Sequence, residues 1–307
     1  TAPGGQIYST LNDNKYGLMS GASRAAPHVS GGGALVLERI DTEFGFEGRE
    51  RVELAKKLMM NTAKTMEFDG APVSPRRQGA GMMQLHAALS TPVMVTDSTT
   101  NEAKVALKEV TENTVSFELT ATNFSDEAVT YEVSANAQTD APVNASGYLV
   151  TAPILIGAID LDGVATVNGE QTATIEVPAN GTTTFTVTLD VSDWDALIKS
   201  YFTNGYWLEG FVTLTDPNDN NPTLSVPYAG FKGDWNAAPI FDAPIWEGTA
   251  SFYEMTGVLS DIDGVFDFVG IDPYTREMDP SKIAFSPNGD GVQDRALMML
   301  SFLRNAK

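Results

Sequence analysis

The 307-residue sequence contains no cysteine, which excludes disulfides, thiolate metal sites and cysteine nucleophiles together. Positive charge is scarce: 19 Lys and Arg stand against 40 Asp and Glu, a formal charge of −21. A surface this acidic repels phosphate backbones and anionic lipids, so nucleic acid is not an expected partner. Long apolar runs are missing too. None approaches the roughly 18 residues that cross a bilayer, so no membrane insertion is expected of this segment. The sequence opens on Thr1-Ala2-Pro3-Gly4-Gly5, a loop-like string with neither an initiating Met nor a signal peptide. The expectation is a chain cut into, not a natural beginning.

What is present supports a folded protein. Hydrophobic residues make up 42% and aromatics 9%, enough to bury a core. At roughly 150 residues per domain, the length suggests about two or three domains.

The texture changes along the chain. Residues 1–90 alternate Gly-rich turns with helical patterns. Residues 23–40 read as a helix, apolar throughout (Ala25, Ala26, Val29, Ala34, Leu35, Val36, Leu37) and therefore expected to be buried on most faces. Pro27 lies in its first turns, where a missing amide hydrogen costs least. A second helix is expected over 50–66, with Val52, Ala55, Leu58, Met59 and Thr62 at helical spacing. A short helix is expected over 82–89.

From Pro92 the period becomes two. Segments 93–95, 104–107, 115–121, 129–134, 173–177 and 183–189 read as strands rich in Val, Thr and Phe, separated by Asn, Asp, Pro and Gly turns. Residues 211–214 and 224–228 are two further strands, joined by a polar loop over 216–222, and 193–201 is a helical interruption. The pattern is that of an antiparallel β-sandwich. The last third is broken by Pro239, Pro244, Pro273 and Pro280. Residues 296–303 read as a strand with no predicted partner following it, so a further domain is expected to be truncated.

One string carries chemistry: Gly21-Ala22-Ser23-Arg24-Ala25-Ala26-Pro27-His28-Val29-Ser30-Gly31. A serine on a tight Gly turn at the mouth of an apolar helix is placed for nucleophilic attack. The helix N-terminus favours the negative charge that develops on an attacked carbonyl, with the Ser23 amide as one donor. Serine is also a common helix cap, and on Ser-Gly alone that reading would win. The whole string resembles the nucleophile motif of the subtilisin-like serine peptidases, the subtilases, at Gly21, Ser23, Ala25, Pro27, His28, Val29 and Gly31. Thr1-Ala2-Pro3-Gly4 looks like the loop before that motif. Gln78-Gly79-Ala80-Gly81 with Ala87-Ala88 resembles the segment that closes the catalytic domain.

The resemblance continues beyond it. Residues 204–212 and 226–235 look like the first fibronectin type III-like domain of the cell-envelope proteinases, the group of the lactocepins and the streptococcal complement-cleaving peptidases. Ser286-Pro287-Asn288-Gly289-Asp290-Gly291 and Phe302-Leu303-Arg304-Asn305-Ala306-Lys307 resemble the opening of the next such domain. The implied fold class is an α/β subtilisin-like catalytic domain, C-terminal part only, followed by an all-β fibronectin type III-like sandwich. The implied divisions are residues 1–91, 92–245, and 246–307 as linker and start of a second β domain.

The resemblance implies a secreted or cell-wall-attached bacterial serine endopeptidase, with protein or peptide substrates. Ser23 is its implied nucleophile and backbone oxyanion donor, supported by Gly21, Ala22, Arg24, Pro27 and His28. In the family the triad runs Asp, His, Ser, so the Asp, the His and the oxyanion Asn are expected upstream of Thr1. The N-terminal remainder of the catalytic domain is thus an implied partner. His28 cannot replace the missing base. Five positions after Ser23 on one helix, it points about 140° away, and it reads as structural. In subtilisin, losing Ser or His alone costs about 10⁶ in turnover, so this chain alone is expected to be inactive. Ala22 stands where the family has Thr, and Arg24 where it has Met. Arg24 would disfavour an imidazolium beside Ser23 unless a carboxylate pairs with it. The alternative is a non-catalytic cell-surface adhesion or scaffold protein with a degenerate protease domain.

No cofactor is required by this reading, and calcium is allowed as a structural ion. Asn288, Asp290 and Asp294 are spaced loosely like a calcium loop, as are Asp216, Asn218 and Asp219, and Asp261, Asp263 and Asp267. None supplies an obvious full ligand set, and Asx turns are the plainer reading. Trp194, Tyr206, Trp207, Trp235 and Trp246 read as packing before they read as a ligand platform. His86 also reads as packing, and Arg76-Arg77 as a solvated turn.

Overall fold

The computed structural model describes every residue except 69, 146–147, 152–157, 238, 248–252, 254, 263 and 305–307. Asp263 and the last three residues of the string ending at Lys307 therefore lie outside the described residues. Two units separate along the chain, Thr1–Asp234 and Trp235–Lys307.

In the first unit, Ile7–Leu11 (β1) and Lys15–Met19 (β2) form an antiparallel hairpin. Its Asn12-Asp13-Asn14 turn uses positive φ at Asp13 and Asn14, which these residues tolerate better than most. Ala22–Arg39 (α1) follows, then a π turn over Ile40–Phe44, then Gly48–Asn61 (α2). Glu67–Phe68 (β3) and Ala71–Pro72 (β4) make a minimal ladder ahead of Pro75–Gln78 (α3) and Leu85–Ser90 (α4).

The helix α1 buries one narrow stripe. Gly32 and Val36, with Ile40 just beyond, recur at i+4; Val36 and Ile40 pack with Leu54, Ala55 and Leu58 of α2 and Ala88 of α4, and Gly32 faces Met83 and Leu85. Most of its other residues are exposed, Val29 and Leu35 included, so burial on most faces is not what the structure has. An all-round apolar helix needs neighbours all round. Among the described residues, the neighbours lie on one side.

The second helix stops at Asn61, short of the expected Met66, because side chains there make other bonds. Asn61 is fully buried, donates to the carbonyls of Val95 and Ser225, and accepts from the Val95 amide. Thr62 donates its hydroxyl back to the Leu58 carbonyl. Lys64 then bridges to Met82, and the same bridge delays α4 to Leu85.

The period-two segments all become strands, and among the described residues five short strands between 138 and 167, which the alternation does not mark, stand with them. In chain order they are Val93–Asp97 (β5), Val105–Val110 (β6), Thr114–Asn123 (β7), Val129–Ala135 (β8), Gln138–Asp140 (β9), Pro142–Ala145 (β10), Tyr148–Thr151 (β11), Ala158–Asp160 (β12), Ala165–Val167 (β13), Thr172–Val177 (β14) and Thr182–Asp190 (β15). After the short helix Asp195–Tyr201 (α5) come Tyr206–Thr215 (β16) and Leu224–Lys232 (β17). One sheet has the order β13-β15-β7-β5. The other runs β12-β9-β16-β17-β6, with β8 on the second half of β16 and β14 beyond β8; β10 and β11 pair separately. Leu119, Val133, Phe185, Val187, Leu208, Val212, Leu214 and Val226 belong to a single core cluster. The sandwich is not wholly antiparallel: β6 runs parallel to β17. Because β5 and β6 belong to different sheets, no hairpin fixes their relative direction, and alternation alone does not reveal it.

In the second unit, Gly257–Ile262 (β18), Val265–Phe268 (β19) and Leu297–Met299 (β20) form a sheet of order β19-β18-β20. The last strand thus finds its partner earlier in the chain. Among the described residues, no helix is long and apolar enough to cross a membrane.

Candidate active site

Ser23 is the second residue of α1 and is exposed. The turn before it is held from below: the Gly21 amide donates to the Gly4 carbonyl at 2.8 Å. A Cβ on Gly4 would stand 2.9 Å from the Gly21 carbonyl oxygen and 3.2 Å from the Ala25 Cβ. Only glycine permits so close an approach of the two backbones. Gly21 provides no side-chain cap to α1, and the Arg24 amide donates back to the Gly21 carbonyl at 2.9 Å, so the Ala22 and Ser23 amides and the positive end of the helix dipole lie without a side-chain cap beside the Ser23 hydroxyl.

The neighbours of Ser23 fall as follows. Ala22 is exposed. Arg24 is half-buried and its guanidinium turns back to the Met19 thioether. His28 is exposed, and its Nδ1 lies 3.0 Å from the Arg24 carbonyl oxygen, an acceptor. Pro27 is the sixth residue of the helix, beyond the turn where amides are free. It lacks the amide that would otherwise close onto the Ser23 carbonyl.

A second layer lies behind this turn. The Met83 amide donates to the Thr1 carbonyl at 2.9 Å, and the Thr1 ammonium and hydroxyl reach the Gly81 carbonyl at 2.6 and 3.1 Å. Gly81 has φ 122°, and a Cβ there would collide with the Lys64 carbonyl. Gln78 is buried and locks the loop before it, accepting from the Met66 amide and donating to the carbonyls of Met66 and Val73. The Met83 sulfur sits where a Cβ on Gly32 would be only 3.0 Å away, so this segment also rests on α1.

Arg76 is not in a solvated turn. On α3, its Nε donates to Glu209 at 2.8 Å and its Nη2 to Asp140 at 2.7 Å, while the guanidinium lies 4.5 Å from the Trp207 ring centroid. Glu209 is completely buried in β16. Burial works against the charge of Arg76, but the bonds and charges of Glu209 and Asp140 outweigh it and hold the guanidinium above its ordinary value. The signal missed in the sequence was Glu209 itself, one carboxylate within the apolar run Leu208 to Val212. A buried charge demands a partner.

The remaining candidates disperse. Asp294 accepts from the amides of Gly289 and Gly291, Asp290 from the Val292 amide, and Asn288 from the Asp290 amide. Asp216 likewise accepts from the Asn218 amide and the Asn221 side chain. Asp261 and Asp267 pair with Arg295 and Arg276. Among the described residues, no three His, Asp or Glu side chains converge as a metal site. Tyr206 donates to Asp195, Trp194 packs on the sandwich core and Trp207 meets Phe231 edge-on, while Trp235 and Trp246 fall in the second unit. His86 is exposed rather than packed, and with Lys64, Thr213 and Ser225 lines a cleft of about 640 Å³.

Comparison with known proteins accords with both parts of this architecture. Residues 1–81 match the family model described as the subtilase family, and residues 105–229 match that of an Fn3-like domain. A C5a peptidase of Streptococcus pyogenes is 32% identical over an alignment covering 100% of this chain and 30% of that protein. A PIII-type proteinase of Lactococcus lactis subsp. cremoris (strain SK11) is 30% identical, covering 99% of this chain and 16% of its own. A PI-type proteinase of Lactococcus lactis subsp. cremoris gives the same identity and coverage. The chain therefore spans about a third or less of the curated relatives it matches. It joins a subtilisin-like α/β segment to an Fn3-like β-sandwich.

Proposed function

We propose that this chain is the nucleophile-bearing part of a subtilisin-like serine endopeptidase of the cell-envelope type, secreted or attached to a bacterial cell wall. The observation that carries the reading is Ser23, exposed at the uncapped N-terminus of α1 inside the segment that matches the subtilase family. In this reading the Ser23 hydroxyl attacks a peptide carbonyl and yields its proton to a base. The Ser23 amide holds the oxyanion, the amine leaves with that proton, and water releases the acyl group. The base, its orienting Asp and the oxyanion Asn come from the N-terminal remainder of the catalytic domain. The exposed apolar residues of β1, β2 and α1 are the surface that this remainder covers. The substrates are proteins or peptides, in line with the relatives' names. No cofactor takes part in the chemistry, and calcium is at most a structural ion.

The chain alone lacks the base and is inactive. The test is labelling with a fluorophosphonate probe: the purified chain should modify Ser23 at least about 10⁴ times more slowly than the full-length protein. Labelling at comparable rates overturns the reading. Arg24, next in sequence to Ser23 where the family has Met, favours a second reading, a scaffold with a degenerate site, although its guanidinium turns back to the Met19 thioether. Arg24→Met in the full-length protein tests this: a large gain in turnover marks an impaired site, and unchanged turnover removes Arg24 as support for the second reading.

A further inference from the structure

We propose that Arg76 is a positioning residue for Ser23, held by the sandwich carboxylates Glu209 and Asp140, so that the Fn3-like domain is part of the catalytic unit. The inference rests on the reading of Ser23 as the nucleophile and deepens it.

Three links connect the two places. The first is the ion cluster. Arg76 bonds Glu209 at 2.8 Å and Asp140 at 2.7 Å, partners 133 and 64 residues distant in sequence. The planar guanidinium donates through two of its nitrogens and stacks on Trp207, so its direction as well as its charge is fixed. Nearby, the Gln138 side chain donates to the Pro72 carbonyl, a second tie from the sandwich to the loop before α3.

The second link is the stretch that Arg76 anchors. α3 is short, capped by Ser74, and runs into Gln78, whose buried side chain makes three bonds to the Met66 and Val73 backbone. Gly79, Ala80 and Gly81 follow, with Gly81 pressed on the Lys64 carbonyl. Little slack remains between Arg76 and Met83.

The third link reaches the nucleophile by two routes. Met83 pairs with the Thr1 carbonyl, and the same strand of chain supports Gly21 through the Gly4 carbonyl. Met83 also fills the space over Gly32 of α1, the helix that carries Ser23. A shift of α3 therefore moves both the turn before Ser23 and the helix after it. Nucleophile geometry tolerates little displacement: about 1 Å can cost about 10²-fold in rate.

The test has two arms. In this chain, amide hydrogen exchange is compared for wild type, Arg76→Met and Arg76→Lys under folding conditions. The Gly21 amide should exchange about tenfold faster in Arg76→Met, while Leu119 and Val187 in the sandwich stay unchanged. Arg76→Lys, which keeps the charge but not the fork, should fall between and serves if Arg76→Met does not fold. Unchanged Gly21 exchange, or equal acceleration in the sandwich, overturns the proposal. In the full-length protein, Arg76→Lys should lower kcat with KM unchanged and slow fluorophosphonate labelling of Ser23. A fall in Tm alone, with kcat intact, also overturns it. Absence of any peptidase activity in the wild type would sink the nucleophile reading, yet leave the exchange arm to decide whether Arg76 holds the Ser23 turn.

Discussion

The sandwich and the α1 region are both apolar in sequence, yet only one of them closes on itself. Leu119, Val133 and Leu214 are 0% exposed, whereas Tyr8, Leu18 and Leu35 are 69%, 63% and 46% exposed. In the sandwich, strands from two sheets supply each other's inner faces. In the α1 region, the hairpin and one helix present apolar side chains that nothing described in this chain covers. An apolar pattern reports that a face requires a partner. It does not report that the partner belongs to the same stretch of sequence.

Mutations in the two regions should therefore behave differently. Leu214→Ala removes a closed-core side chain and should cost about 3 kcal/mol in urea unfolding of this chain. Leu35→Ala, measured the same way, should cost under about 0.5 kcal/mol. Similar losses at both positions would erase the contrast. Leu35→Ala in the full-length protein should instead cost like a core change, which sharpens it.

The Arg76 cluster joins the two regions, and its loss should rank next. Glu209→Ala leaves Arg76 half-buried with Asp140 alone, at a cost of about 2 kcal/mol, less than the roughly 3–5 kcal/mol of a fully orphaned buried charge. No measurable change would mean that Asn61, Gln138 and apolar packing join the two regions without help from the ion cluster.

The smallest effect concerns acid. Burial raises the Asp195 carboxyl, but hydrogen bonds from Lys199 and Tyr206 and the charge of Lys232 outweigh it and hold it below the usual range. A depressed carboxylate stabilises the fold above its unfolded value, and that contribution is lost as pH falls through the folded value. Between about pH 5 and about pH 3, Asp195→Asn should lose less stability than wild type. Equal losses would show that Asp195 takes no part in the acid limb.

How much of this was legible in the sequence depended on range. The strands were legible because Val and Thr alternate locally, as in β14 and β15. The string inside the segment that matches the subtilase family was legible because its residues are contiguous. The hairpin of β1 and β2 was passed over, although Asn12-Asp13-Asn14 between two Tyr-bearing runs is a turn signal. The end of α2 was overrun because Asn61 ends it with bonds to Val95 and Ser225, far along the chain. The support of Ser23 by Gly4 and the capture of Arg76 by Glu209 are contacts of the same long-range kind. Arg76-Arg77 looked like an ordinary pair of surface charges because nothing adjacent to it announces a partner.

In the proposed reading, Ser23 is the nucleophile of a peptidase completed by further sequence. Its most direct measurement is fluorophosphonate labelling of the full-length protein followed by peptide mapping. One modified residue is expected, Ser23, with no label in Ser23→Ala. Label on another serine, or cleavage of protein substrates that survives Ser23→Ala, would contradict it.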